Sequence, residues 1–283
     1  MKKKIYFVAD MFIQDYVGGA ELTTESIIND SANFEIEKVY SHNLEQSFLE
    51  KNKDNHFIVC NFSRLQDKIK IYMCKNIQYS IIEYDYKFCK YRSTIKHKKI
   101  EGIECDCLTK LSGKINNAFY GYASEIWFMS EKQRDIFLQN VSSIKQDRCK
   151  VLSSVFSQGD LRFIDSIKDN EKDETYLILG SDSWIKNTKG CVEYAISNKL
   201  KYEVIKDLPY HELLIKMSTS RGLIFMPLAH DTCPRLVIEA KLMGCEMHLN
   251  DYVQHKDEEW FSDAPTAMKY LKKRTKVFWE YYE

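Results

Sequence analysis

The chain has 283 residues, room for one large domain or two ordinary ones, and its 44% hydrophobic and 13% aromatic content excludes a disordered chain. Lys+Arg 41 balances Asp+Glu 41, so nucleic acid or an anionic membrane would be engaged only through a local patch. Nine cysteines without a C-x-x-C pair exclude a disulfide framework and read as reduced thiols of a cytoplasmic protein.

The start, Met1-Lys2-Lys3-Lys4 before an apolar run at 5–9, has the outline of a signal peptide. Asp10 cuts that run short and no small-residue cleavage site follows, so 5–9 is expected to be a first buried strand. No later run approaches the roughly 20 residues of a membrane span. Short β-rich apolar segments at 38–40, 57–60, 79–82, 126–129 and 151–155 predict further strands. Helical patterns fall between them at 21–30, 64–75, 114–123 and 131–139, the last capped by Ser130. Strand–helix alternation with near-continuous apolar strands predicts a parallel sheet covered on both faces. Within this half, Cys105-Asp106-Cys107 is the one close cysteine pair. With no second cluster at zinc spacing it reads as a loop feature, and no metal is expected.

The wholly polar run 168–174 marks a boundary between domains, expected at 1–160 and 174–262. A second alternation follows, with strands at 176–179, 203–205, 223–226 and 247–249 and helices at 190–198, 210–218 and 234–243. Residues 263–283 form the tail, and the apolar spacing from 265 to 282 predicts one terminal helix with a sticky face.

Two stretches carry chemistry. Gly18-Gly19-Ala20-Glu21 opens a helix after the first strand, where glycines let backbone N–H groups approach a phosphate. Asp231-Thr232-Cys233-Pro234-Arg235-Leu236-Val237-Ile238-Glu239-Ala240 is followed by Gly244. Pro234 suits a first helical turn, Thr232 or Cys233 a cap, and Gly244 a stop. The free N–H groups of the turn that Pro234-Arg235-Leu236 opens would then face an anion, flanked by the carboxylates of Asp231 and Glu239. Carboxylates beside a phosphate suit sugar and ribose hydroxyls.

This segment resembles the C-terminal signature of the retaining glycosyltransferases of family 4, which have the GT-B fold: an acidic residue, seven others, then Glu-Ala and a later Gly. Gly18-Gly19-Ala20-Glu21 is similar to the family's Gly-Gly-x-Glu turn. Residues 181–190, Ser-Asp-Ser-Trp-Ile-Lys-Asn-Thr-Lys-Gly, stand where the family holds the donor diphosphate. The resemblance implies an α/β chain of two Rossmann-like domains facing a cleft, the first on the acceptor side and the second holding the nucleotide-sugar, with the C-terminal helix crossing back to the first. It implies a hexosyltransferase-like enzyme using a UDP- or GDP-sugar without a metal or other cofactor, transferring to an acceptor hydroxyl with retention. Carried over by position, Glu239 binds the ribose, Asp231 contacts the sugar, and Lys186 with Lys189 neutralises the leaving diphosphate. The donor set is completed by Gly18, Gly19, Glu21, Pro234, Arg235 and Leu236. The sequence departs from the pattern twice: Asp231 stands for the usual Glu, and Ser181 occupies the place of the expected Arg.

Between Lys87 and Lys99 six Lys or Arg and no acid alternate with aromatics. Such interleaving suits phosphate contact with base stacking, and equally a solvated loop. Asp85, Lys87, Lys90 and Arg92 are the candidate acceptor contacts. A glycan or lipid-linked sugar is the default acceptor, and DNA with hydroxymethylated bases the runner-up. A non-catalytic sugar-nucleotide-binding protein is the rival of another class. A nicotinamide oxidoreductase is disfavoured because no G-x-G-x-x-G follows any strand.

Overall fold

The computed structural model describes residues 3–283; Met1 and Lys2 of the basic start lie outside them. The chain divides into two units. The first runs to Val155 and takes in Thr275–Glu283, and the second is Phe156–Arg274.

In the first unit, β1 (Lys3–Ala9), α1 (Gly19–Asn29), β2 (Phe34–Tyr40), α2 (Gln46–Lys51), β3 (His56–Val59), α3 (Asp67–Asn76) and β4 (Tyr79–Glu83) follow in order. After them come α4 (Thr94–Glu101), α5 (Leu111–Tyr122), β5 (Ile126–Phe128), α6 (Glu131–Asn140) and β6 (Cys149–Val151). The six strands form one parallel sheet in the order β2-β1-β3-β4-β5-β6. Its central strands are largely apolar because both faces are covered: Ile5, Phe7, Val8, Phe57, Ile58, Val59, Ile81 and Ile82 have no exposed surface, and His56, Ser80 and Glu83 are buried among them. Ser130 caps α6 by accepting from the Gln133 N–H, as its sequence position predicts.

The second unit begins with α7 (Gln158–Ile167), a helix capped by Ser157 that the strand–helix pattern of the sequence does not announce. The polar run at 168–174 follows α7, inside the second unit. Then come β7 (Tyr176–Leu179), α8 (Thr188–Ser197), β8 (Tyr202–Ile205), α9 (Tyr210–Thr219), β9 (Gly222–Phe225), α10 (Arg235–Leu242), β10 (Glu246–Leu249) and α11 (Ala264–Leu271). The sheet is again parallel, in the order β10-β9-β7-β8. The chain winds outward from β7 to β8 and then returns to lay β9 on the other side. The gap between β7 and β9 is therefore the topological switch point, where doubly wound sheets hold ligands beyond the strand ends.

The single terminal helix expected over 265–282 is two helices. Asp263 caps α11 by accepting from Thr266 N–H, and α11 stops at Leu271; α12 (Arg274–Glu280) then starts a new segment. From Thr275 onward the residues count with the first unit. Among the described residues, no helix is long and apolar enough to cross a membrane.

Candidate functional site

At the switch point of the second sheet, the loops after β7 and β9 are tied together. Asn187, in the left-handed region at φ 53°, caps α8 by accepting from Gly190 N–H and donates its amide to Met226 O at 2.9 Å. Leu228 N–H reaches Ile185 O at 2.9 Å. Thr188 locks the start of the first loop, donating to Leu179 O and accepting from Ser181 N–H. Asp231 is fixed through its own backbone, which bridges to Val253: its N–H donates to Tyr252 O, and its carbonyl accepts from Gln254 N–H. Two side chains meet on this frame. Lys186 Nζ donates to Asp231 Oδ2 at 2.5 Å and lies 5.3 Å from the Phe225 ring centroid.

Four residues beyond Asp231 the helix α10 begins. Its N-cap is Pro234, not Thr232 or Cys233, and no side chain caps it. A prolyl cap has no side-chain acceptor to offer; Pro234 O takes the N–H groups of Val237 and Ile238, and the helix mouth at Arg235 and Leu236 carries the positive end of the helix dipole. Further along α10 the carboxylate of Glu239 is 2% exposed and accepts from Tyr210 Oη–H at 2.8 Å. Burial pushes its pKa up, opposed by Arg235 one turn earlier, whose Nε is 3.6 Å away. The Arg235 guanidinium donates to Tyr210 Oη at 3.0 Å, lies 3.8 Å from Asp160, and stacks 3.8 Å from the Phe156 ring centroid. Arg235 therefore buries its side chain beneath α10, and only its backbone N–H belongs to the helix mouth. Sequence reasoning misses Tyr210, Asp160 and Phe156, because they come from α9 and the α7 region with no motif linking them to Glu239.

The remaining candidates divide sharply. Lys189 is not brought to Asp231: its side chain is 90% exposed, 3.8 Å from Glu193 on the α8 surface. Gly18 and Gly19 open α1 in the first unit, and Glu21 follows in its first turn, buried, with its pKa raised by that burial. Leu236 and Pro234 are buried beside Glu239 in the second unit.

The basic segment corrects its sequence reading. Tyr86 and Phe88 are core residues packed on Phe137, so they offer no stacking surface. Lys87 is buried and donates to Glu83 Oε1 at 2.7 Å, with Asp85 3.2 Å away. Burial lifts the Glu83 carboxyl to about 7 against the pull of Lys87. Arg92 pairs with Asp85, Lys90 with Glu101 at 2.7 Å, and Lys98 with Glu104. The run of positive charge is answered by acids flanking it in sequence. Lys90, Arg92, Lys98 and Lys99 remain at the surface.

Cys105 and Cys107 do not stand alone either. Together with Cys89 and His97 they place four ligand atoms within 4.8 Å of one another. Spacings of eight, eight and two hide this group from a search for close pairs. All nine cysteines are free thiols.

No family model matches the sequence, and a search of curated proteins finds no match. Solved structures are similar in fold. The chain has the GT-B fold, with two Rossmann-like units. Among its structural neighbours is the Anabaena protein HepE, solved in complex with UDP-glucose, with a TM-score of 0.56 and 11% identity over 95% of this chain and 89% of that one. Another is the catalytic domain of starch synthase IV from Arabidopsis thaliana, bound to ADP and acarbose, with a TM-score of 0.57 and 8% identity over 98% and 94%. A third is an α-glucosyltransferase in complex with UDP and a 13-mer DNA containing an HMU base, with a TM-score of 0.54 and 8% identity over 99% and 90%.

Proposed function

We propose that the chain is a glycosyltransferase that moves a sugar from a nucleotide-sugar, such as a UDP- or GDP-sugar, to an acceptor hydroxyl with retention, in the manner of family 4. The observation that carries the reading is the Lys186–Asp231 pair across the switch point of the second sheet, three residues before the prolyl N-cap of α10. An ammonium beside the positive end of the α10 dipole suits a diphosphate, which gains charge as it leaves. Asp231 suits a hydroxyl of the donor sugar, and Glu239, oriented by Tyr210, suits the ribose. Fold neighbours that hold UDP-glucose, UDP or ADP support the donor class.

The acceptor is a glycan or lipid-linked hydroxyl. Buried Tyr86 and Phe88 and the ion pairs of Lys87, Lys90 and Arg92 favour it over DNA, because a polyanion would have to displace those carboxylates. Incubation with labelled nucleotide-sugars and a mixed pool of glycans, lipid-linked sugars and hydroxymethylated DNA, followed by mass spectrometry, should show transfer to one sugar acceptor. Transfer to DNA alone would make the nucleic-acid reading correct. Nucleotide binding without transfer or donor hydrolysis would leave a non-catalytic binder. Glu239→Gln should weaken free nucleotide and nucleotide-sugar alike, by about 1.5–3 kcal/mol for a lost charge-assisted hydrogen bond. Equal calorimetric affinities in the variant and the parent would remove Glu239 from the donor site.

A further inference from the structure

We infer that Cys89, His97, Cys105 and Cys107 bind a zinc ion that fastens the segment between β4 and α5. The geometry fits a closed tetrahedral site of three sulfurs and one nitrogen. Zinc–sulfur bonds of about 2.3 Å and zinc–nitrogen bonds of about 2.0–2.1 Å give tetrahedral edges of about 3.6 Å between nitrogen and sulfur and about 3.8 Å between sulfurs. His97 Nδ1 lies 3.7 Å from Cys89 Sγ and 3.5 Å from Cys107 Sγ, and no pair of the four ligand atoms is farther apart than 4.8 Å. Closing the widest pair needs a contraction of about 1 Å, well within side-chain rotation.

The surroundings also suit a metal. Lys90 N–H points at Cys107 Sγ, 3.3 Å away, as a backbone donor would stabilise a thiolate. The far nitrogen of His97, Nε2, faces Asp106 Oδ1 at 3.6 Å, and the other oxygen of Asp106 is held by Lys110 at 2.8 Å. At 3.6 Å Nε2 makes no hydrogen bond to that carboxylate; an approach of about 0.5 Å would let it donate there and fix the ring tautomer that leaves Nδ1 free for the ion. Cys89, His97 and Cys107 are buried, and Cys105 closes the fourth position, so no side is left open for a substrate. Three soft thiolates and one imidazole select zinc over calcium or magnesium. On binding, three thiol protons leave to solvent as three Zn–S bonds and one Zn–N bond form.

Helix α4, inside that segment, needs such a fastener. Helix α4 has eight residues, below the length at which a helix holds itself, and its only buried residue is His97. Its charged Lys96, Lys98 and Lys99 and exposed Ile100 supply no apolar stripe. Tyr86, Phe88, Cys89 and Cys107 tie the flanks of the segment into the core, whereas α4 between them is anchored through a lone buried histidine among three cysteines, as a metal clasp would require.

The full chain, produced with zinc in the medium and purified without chelator, should contain close to one zinc per chain by inductively coupled plasma mass spectrometry. His97→Ala and Cys107→Ser should lose it. Cys74→Ser and Cys149→Ser, which lie outside the cluster, should keep it, and so should His97→Cys, which exchanges one zinc ligand for another. Should the two loss variants fail to fold, cobalt exchange in the parent protein answers the same question through thiolate charge-transfer absorption. Chelation should raise hydrogen exchange across residues 84–110 and leave nucleotide binding intact, a readout independent of transferase activity. A metal-free parent protein, a disulfide within the cluster, or equal zinc in the parent, His97→Ala and Cys107→Ser would overturn the inference.

Discussion

At the scale of single residues, the second unit separates two lysines that the sequence treats alike. Lys186 sits on the Asp231 carboxylate, whereas Lys189 stands in solvent on α8. If Lys186 neutralises the leaving diphosphate as proposed, Lys186→Ala should lower kcat by roughly 10²–10³, more than it weakens donor binding. Lys189→Ala should change kcat little. Equal losses in both variants would contradict the assignment. Burial sets another residue apart. His255 has no exposed surface, stacks on Trp260, and neither ring nitrogen has a hydrogen-bond partner. Desolvation lowers its pKa from 6.5 to about 3. Between those values the unfolded chain takes up a proton that the folded one refuses, so stability falls as pH drops through that window. His255→Phe should flatten the decline in melting temperature between pH 7 and 4. An unchanged slope would mean that His255 does not titrate in the unfolded chain as this linkage requires. The Asp231–Glu239 spacing is legible in sequence because both residues share one loop and helix. The partners of Glu239 are not, because Tyr210 and Asp160 arrive through tertiary packing.

At the scale of elements, apolar strands are the clearest signal, and β7 begins and ends where its hydrophobic run does. Helices are legible where they carry a stripe or a cap, as α6 does with Ser130. Helix α4 is hidden because its one buried side chain is a histidine, and α7 because it adjoins a polar run that looks like a linker. Helix α10 ends as expected at Gly244, whose φ of 65° is the left-handed conformation of a helix stop. A Cβ at Gly244 would meet nothing within 4 Å, so Gly244→Ala tests backbone strain alone. It should cost about 1 kcal/mol in chemical denaturation. A neutral result would show that the stop relaxes.

At the scale of the whole molecule, the first unit is not continuous in sequence. Its last residues fill its core: Trp279 donates from Nε1 to Ile27 O at 2.9 Å and stacks on Phe34, while Phe278 packs on Trp127. Tyr282 accepts from Trp127 Nε1 at 3.1 Å. Trp279→Ala should cost the first unit about 3–5 kcal/mol. Hydrogen exchange should rise in peptides from β1 to β3 and stay unchanged in β7 to β10; an equal rise in both would mean that the two units unfold together. The same arrangement has a consequence during synthesis. A ribosome adding about 5–20 residues per second completes the entire second unit before it releases Thr275–Glu283. For several seconds the nascent first unit would carry uncovered aromatic surface around Phe34 and Trp127, a natural client for chaperones.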